Sequence, residues 1–354
     1  AEQARSIAEE LRKTAEILRA SAETARQSKI VEIEGRFQTL TVEQQQEAEV
    51  IDARKGKASL RAKVDEIDSQ LAEIATIIKP TGTDDDSPYI NSIIVNGGNF
   101  LFKKGLYHIG ENLFVPSNSK LTFEQGAILS KNPVESNVYY EVLAIYQDDN
   151  IEINNPHIIG DKNTHIGAGG EHGHGIKISN STNITINNPA IKDCWGDGIY
   201  IGHSYVEGET IITDNITINN PIVDGVRRNG ISVCGGRRIN IINPLCMNVT
   251  TTAPKAGIDI EAEGAILLLE DVNILNPKTK SNGVGIQLAL NALADSGKNI
   301  RINVAHHISD TDNTAVYVAK LQGTLSGEII FNDSMYYNTV VGCVMIGEYN
   351  ADVL

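Results

Sequence analysis

The sequence predicts an all-β right-handed parallel β-helix, a single-stranded solenoid, carried on an N-terminal α-helical coiled-coil stalk. Three observations predict it: a break in composition near Pro80, a heptad-like apolar seam before the break, and a recurring Ile-x-Ile-x-Asn-Pro pattern after it. At 354 residues the chain suits two or three structural units.

Residues 1–79 are rich in Ala, Glu, Lys, Arg and Gln and read as helix. Ile7, Leu11, Thr14, Leu18, Ser21 and Ala25 alternate in steps of four and three, and Leu60, Val64, Ile67, Leu71, Ile74 and Ile78 repeat those steps with larger side chains. Such steps define a coiled-coil seam. Gly56 is expected to interrupt the helix between the two stretches. The seam can be covered by self-association or by folding back as a hairpin, and the mixed Ile/Leu/Val usage fixes no strand number.

Residues 80–130 read as the opening and cap of the β-helix, and 131–354 as the β-helix proper. Segments ending in Pro156, Pro189, Pro221, Pro244 and Pro277 repeat one strand, and those prolines are separated by 33, 32, 23 and 33 residues. A second strand follows each, at Gly175-Ile-Lys-Ile178, Gly198-Ile-Tyr-Ile201, Gly230-Ile-Ser-Val233, Gly257-Ile-Asp-Ile260 and Gly285-Ile-Gln-Leu288. Apolar and polar residues alternate in each, the period of a half-buried strand. Strands this short need stacking, coil on coil, to enclose a core. The 23-residue step is one coil with minimal loops, and too short for a four-stranded propeller blade. The longer steps carry insertions, expected on one side of the solenoid.

A net charge of −15 argues against a general nucleic-acid binder, which needs a basic face. No apolar run reaches the ~18 residues of a membrane-spanning helix. The charged start, Ala1-Glu2-Gln3-Ala4-Arg5, has no signal-peptide core, so cytoplasmic synthesis is expected. Cys194, Cys234, Cys246 and Cys343 form no CxxC pair and are expected to be buried free thiols.

Pro80-Thr-Gly-Thr-Asp-Asp-Asp-Ser-Pro-Tyr-Ile90, Gly98-Asn-Phe-Leu-Phe-Lys-Lys-Gly-Leu-Tyr-His-Ile109, Val115-Pro-Ser-Asn-Ser-Lys-Leu121 and Gly126-Ala-Ile-Leu129 together resemble the opening of pectate-lyase-like right-handed β-helix proteins, especially phage tail spikes and pre-neck appendage proteins. The likeness extends in layout over residues 80–350, and the preceding stalk resembles virion-attachment segments of Gram-positive phages. The resemblance implies a virion protein acting at the host cell surface. It implies a homotrimer that binds, and often depolymerises, capsular polysaccharide, lipopolysaccharide or teichoic acid, with other tail proteins held through the stalk.

Aligning the second strands on Gly-Ile gives an outward column of Lys177, Tyr200, Ser232, Asp259 and Gln287, with Glu261 two residues beyond Asp259. Just before the glycines stand His174, Asp197 and Asn229, and nearby His172, Trp195, Arg227 and Arg228. Asp197 and Asp259 are the candidate catalytic acid and base, with Glu261 as an alternative partner. His172, His174, Trp195, Tyr200, Arg227 and Arg228 are the candidate substrate-binding residues. Trp195 would stack on a sugar and the arginines would grip negative charge. Glu171-His-Gly-His174 hints at a metal, but the reading assigns none, and no cofactor. Asp197-Gly-Ile199 also resembles a catalytic motif of polygalacturonase-like β-helix hydrolases. The chain departs from that family in the next coil, where Arg227-Arg228-Asn229 stands instead of an aspartate pair. The expected function is depolymerisation of a cell-surface polymer. The alternatives are a receptor-binding spike without turnover and a structural tail or baseplate module.

Overall fold

The computed structural model describes residues 75–135, 139–203, 212–345 and 352–353. The chain divides into two units, 1–73 and 74–354, and the described residues belong to the second. That unit is a parallel β-solenoid of three sheets with eleven, nine and nine strands.

Each coil runs first sheet, second sheet, third sheet. In one coil these strands are Asp149–Asn154, His157–Ile159 and His174–Ser179; in the next they are Thr182–Asn187, Ala190–Lys192 and Ile199–Gly202. Every strand pairs in parallel with its counterparts in the neighbouring coils. The repeat dictates the register. Ile153, Ile186, Ile218, Ile241 and Ile274 stack across the first sheet, and Ile176, Ile199, Ile231, Ile258 and Ile286 across the third. These side chains have 0 % exposure, and burying each contributes about 1.5–3 kcal/mol.

The Asn-Pro dipeptides form a tight corner between the first and second sheets. Proline ends the strand because it cannot donate to the ladder. The asparagine before it turns the chain, with φ of 57° at Asn155, 52° at Asn188 and Asn220, and 53° at Asn243 and Asn276. Asparagine tolerates this left-handed conformation better than other residues bearing a Cβ. Their side-chain amides form a ladder along the corner, with Asn188, Asn220, Asn243 and Asn276 each donating to the preceding one at 2.9 Å.

The insertions fall elsewhere. Segments 160–173 and 248–255 precede third-sheet strands, and 262–268, 290–298 and 319–325 come after them. They therefore flank the third sheet at two corners of the coil, where the sequence pattern suggested a single side.

The start of the solenoid is capped by the helix Ser87–Ile94, whose Ile90 and Ile94 are buried in the core. The Thr-Asp-Asp-Asp motif builds this cap. Asp86 accepts hydrogen bonds from the Thr81 amide (2.7 Å), the Thr81 hydroxyl (2.6 Å) and the His108 amide (2.8 Å). Asp85 accepts from the amides of Ser87 and Gly110, each at 2.9 Å. Beneath, Phe102 stacks on Phe123 at 4.3 Å and meets Tyr107 edge-on.

Two boundaries differ from the sequence reading. The heptad spacing runs through Ile78, but Thr76–Ile78 is a strand paired with Gly98–Phe102, and Ile78 lies in the β-helix core. Its place in the seam is fortuitous, because one apolar residue fits either period. Residues 80–130 are not separate from the remaining coils: Ala127–Lys131 crosses that limit and pairs within the second sheet. The rest of the stalk reading lies outside the described residues. Cys194, Cys234 and Cys246 are buried free thiols as expected, whereas Cys343 is exposed. Among the described residues no helix is long and apolar enough to cross a membrane.

Candidate functional site on the third sheet

The outward column read from the sequence is the column in the structure. Lys177 pairs with Tyr200, Tyr200 with Ser232, Ser232 with Asp259, and Asp259 with Gln287. The amides of Gly175 and Gly198, which come directly after His174 and Asp197, donate to the carbonyls of Asp197 and Asn229 in the next coil, each at 3.0 Å. What the pattern did not anticipate is burial. Although the column points outward, Tyr200, Ser232 and Asp259 are 7, 2 and 1 % exposed. The insertion 262–268 supplies part of the cover, through a hydrogen bond between Glu263 and Tyr200.

Asp197 and Asp259 belong to one hydrogen-bonded network. Asp197 Oδ1 accepts from the Asn229 amide (3.0 Å) and Oδ2 from Ser232 Oγ (2.9 Å). Asn229 Nδ2 lies 3.2 Å from Ser232 Oγ and 3.0 Å from Asp259 Oδ2. Gln287 Nε2 donates to Asp259 Oδ1 (3.1 Å), and Glu261 bonds to Asp259 from the same face of the strand Ala256–Glu261. Ser232 and Asn229 therefore link Asp197 to Asp259, and with Glu261 bonded to Asp259 the three candidate carboxyl groups form a row.

The row cannot be fully ionised. Burial raises the Asp197 pKa to about 6, against the opposing influence of Arg228, Ser232 and the Asn229 amide. Burial, then Glu261 and Asp197, hold Asp259 well above the usual carboxylate range. Glu261 is raised by its burial and by Glu263. A protonated carboxylic acid beside an ionised one is the division of labour that acid–base chemistry uses.

The remaining predicted residues divide into two groups. Arg228, His174 and Tyr200 adjoin the carboxyl row. Arg228 forms an ion pair with the exposed Glu171 at 2.9 Å, and its charge acts on both Asp197 and Asp259. His174 Nδ1 accepts the Asp197 amide proton at 3.0 Å and lies 3.6 Å from Asp197 Oδ2. Burial pushes its pKa well below normal, so the ring is neutral. The Tyr200 ring lies 5.1 Å from that of His174 and 5.3 Å from Lys177 Nζ.

Trp195 and Arg227 are engaged internally. The Trp195 ring stacks on His165 at 3.9 Å, lies 4.1 Å from the Arg227 guanidinium and donates its N–H to the Gly169 carbonyl. Arg227 donates to the Trp195 and Gly170 carbonyls and to Thr252 Oγ1. Both side chains thus hold segment 160–173. His172 packs against the exposed Tyr139 ring at 3.7 Å, with its ring 5.9 Å from that of His174.

Sequence reasoning passed over Ser232 and Asn229 as connectors and Gln287 as a donor to Asp259, although all three stood in the aligned columns. It also missed Glu141, the third-sheet neighbour of His174. The strand Glu141–Tyr146 lacks the Gly-Ile marker on which the alignment was built.

No family model matches the chain. Against solved structures it resembles the pre-mature gene product 12 of bacteriophage phi29, with a TM-score of 0.58 and 17 % identity over 77 % of this chain and 38 % of that one. The two share the parallel β-solenoid fold. In sequence it is 28 % identical to the uncharacterized protein YclG of Bacillus subtilis (strain 168), over 62 % of this chain and 38 % of the relative. It is also 29 % identical to the SPbeta prophage-derived uncharacterized protein YorA of the same strain, over 44 % and 29 % respectively. The chain spans less than half the length of either relative.

Proposed function

We propose that this β-helix is part of a phage tail spike that binds and depolymerises a bacterial surface polysaccharide. Asp259 acts as general acid, Asp197 as the ionised partner and Glu261 as the alternative partner. The observation that carries the reading is the row of carboxyl groups joined through Ser232 and Asn229, where burial keeps one acid protonated beside another that can ionise. The fold shared with phi29 gene product 12 and the prophage origin of YorA support the virion setting. Trimer formation, attachment through residues 1–79 and action at the host surface belong to the same proposal.

The charge around the row favours a neutral glycan over polyanionic teichoic acid. Arg228 is paired with Glu171, and Lys177 with Glu141 at 3.4 Å. Glu261 and Glu263 add negative charge beside Asp259. A polyanion would meet this acidic surround at a row whose adjoining cations, Arg228 and Lys177, are already paired.

One observation favours binding without turnover. Asp197 and Asp259 are only 4 and 1 % exposed, whereas Glu261 is half-buried. The test is fragment release from purified capsular polysaccharide and wall teichoic acid, monitored by size exclusion, with Asp197→Asn and Asp259→Asn alongside. Shortening by the unaltered chain that either variant loses supports the enzyme. Binding without shortening, equal in all three, leaves a receptor-binding spike.

A further inference from the structure

One cluster next to the carboxyl row has a donor set that the row does not use. Glu141, His172 and His174 each offer one ligand atom, and these atoms all lie within 4.8 Å of one another. Glu141 is 1 % exposed; its Oε2 accepts from Asn112 Nδ2 at 3.0 Å, while its buried Oε1 has no hydrogen bond. His172 Nδ1 is likewise buried without a hydrogen-bond partner. Apart from the Lys177 ammonium at 3.4 Å from Glu141 Oε1, nothing satisfies these two buried atoms, and buried polar atoms left without hydrogen bonds are costly. The His172 and His174 rings stand 5.9 Å apart and nearly perpendicular, so their nitrogens can converge.

We propose that Glu141, His172 and His174 form a binding site for a divalent transition-metal ion, zinc foremost. Two imidazoles and one carboxylate are a borderline donor set that suits zinc and, more weakly, cobalt or manganese; calcium and magnesium prefer all-oxygen shells. A tetrahedral zinc with bonds of about 2.1 Å sets its ligands roughly 3.4 Å apart, so the site closes by a modest inward movement. His172 lies just before the third-sheet strand and is the ligand free to make it. Three protein ligands leave the fourth position open, as in zinc sites that take water or a substrate oxygen.

Two neighbours must adjust. Lys177 Nζ lies 3.4 Å from Glu141 Oε1. A divalent ion displaces it, and the ammonium keeps its places over the Tyr146 and Tyr200 rings, at 5.6 and 5.3 Å. His174 carries its proton on Nε2, because Nδ1 accepts the Asp197 amide. Ligation through Nε2 moves that proton to Nδ1, which turns towards Asp197 Oδ2, now 3.6 Å away. The result is a metal–histidine–carboxylate chain, and no net proton is released from His174.

The experiment uses the full chain stripped with chelator. Melting is monitored with ZnCl2, CoCl2 or CaCl2, and bound zinc is counted by elemental analysis after desalting. One zinc per chain, a Tm increase of several degrees with zinc and none with calcium, and tetrahedral cobalt absorption are expected. His172→Ala should melt like the parent in chelator yet lose the zinc response, and Glu141→Gln should lose it as well. No retained zinc overturns the site. So does a zinc response that survives in His172→Ala, since the ion would then sit elsewhere. Because His172 is not part of the core, its variant remains informative if Glu141→Gln fails to fold.

Discussion

The Asn-Pro corner and the flanks of the third sheet are built by the same coils, yet they are opposites. At the corner one residue type recurs in one conformation, and each amide bonds to its counterpart in the neighbouring coil. Around the third sheet the connections vary in length, and the outward column changes from Lys177 to Tyr200, Ser232, Asp259 and Gln287. The regular corner holds the stack in register. The irregular flank gathers titratable groups and covers them. A solenoid separates the two tasks because neighbouring coils meet at every corner, so one regular corner and a shared core suffice to fix the spacing.

This contrast can be broken or sharpened by substitution. The largest expected effect is on the flank: Asp259→Asn should lower polymer shortening by about 10²–10⁴-fold, the scale of one general acid, with little loss of stability. An unchanged rate would remove the row from the chemistry. Ile218→Ala, beneath the first sheet, should do the reverse, costing about 2–5 kcal/mol in denaturant unfolding while the folded fraction keeps its rate.

The pH dependence separates the regions next. Asp259 and Glu261 have folded pKa values above their unfolded ones. The folded chain therefore binds these protons more tightly. Their contribution is fully present below an unfolded pKa of about 4 and is lost as pH rises through the raised folded values. Asp197, Glu261 and Arg228 are the charged groups acting on Asp259. Thermal melting between pH 4 and 8 should show a shallower fall in Asp259→Asn than in the parent chain; identical slopes would mean that Asp259 ionises normally. The smallest effect belongs to a single ladder rung. Asn220→Ala removes two amide hydrogen bonds and places alanine at positive φ, costing about 1–2 kcal/mol in the same unfolding assay and leaving activity untouched.

Much of the fold was legible because the repeat states it directly. The step between Pro221 and Pro244 gave the length of a bare coil, and aligning Gly-Ile gave the lateral neighbours of Ser232 and Asp259, which the register reproduces. The candidate carboxyl groups were legible for the same reason. Trp195 and Arg227 stand beside their aligned neighbours, but what they touch was not legible. Sequence gives adjacency along the ladder and says nothing of segment 160–173, which folds back over Trp195 with His165. Glu141 was invisible because its strand lacks the repeat marker, so the convergence of Glu141 with His172 and His174 could not be read.

By itself, the sequence determined the coil, its core and the order of residues along each column. Periodicity of two, proline stops and asparagine turns are local properties of the chain. Tertiary structure alone decided which outward residues are covered, which charges are neutralised and which carboxyl groups share protons. Those depend on insertions that have no repeat and on the desolvation they impose, and desolvation belongs to the folded environment rather than to any residue.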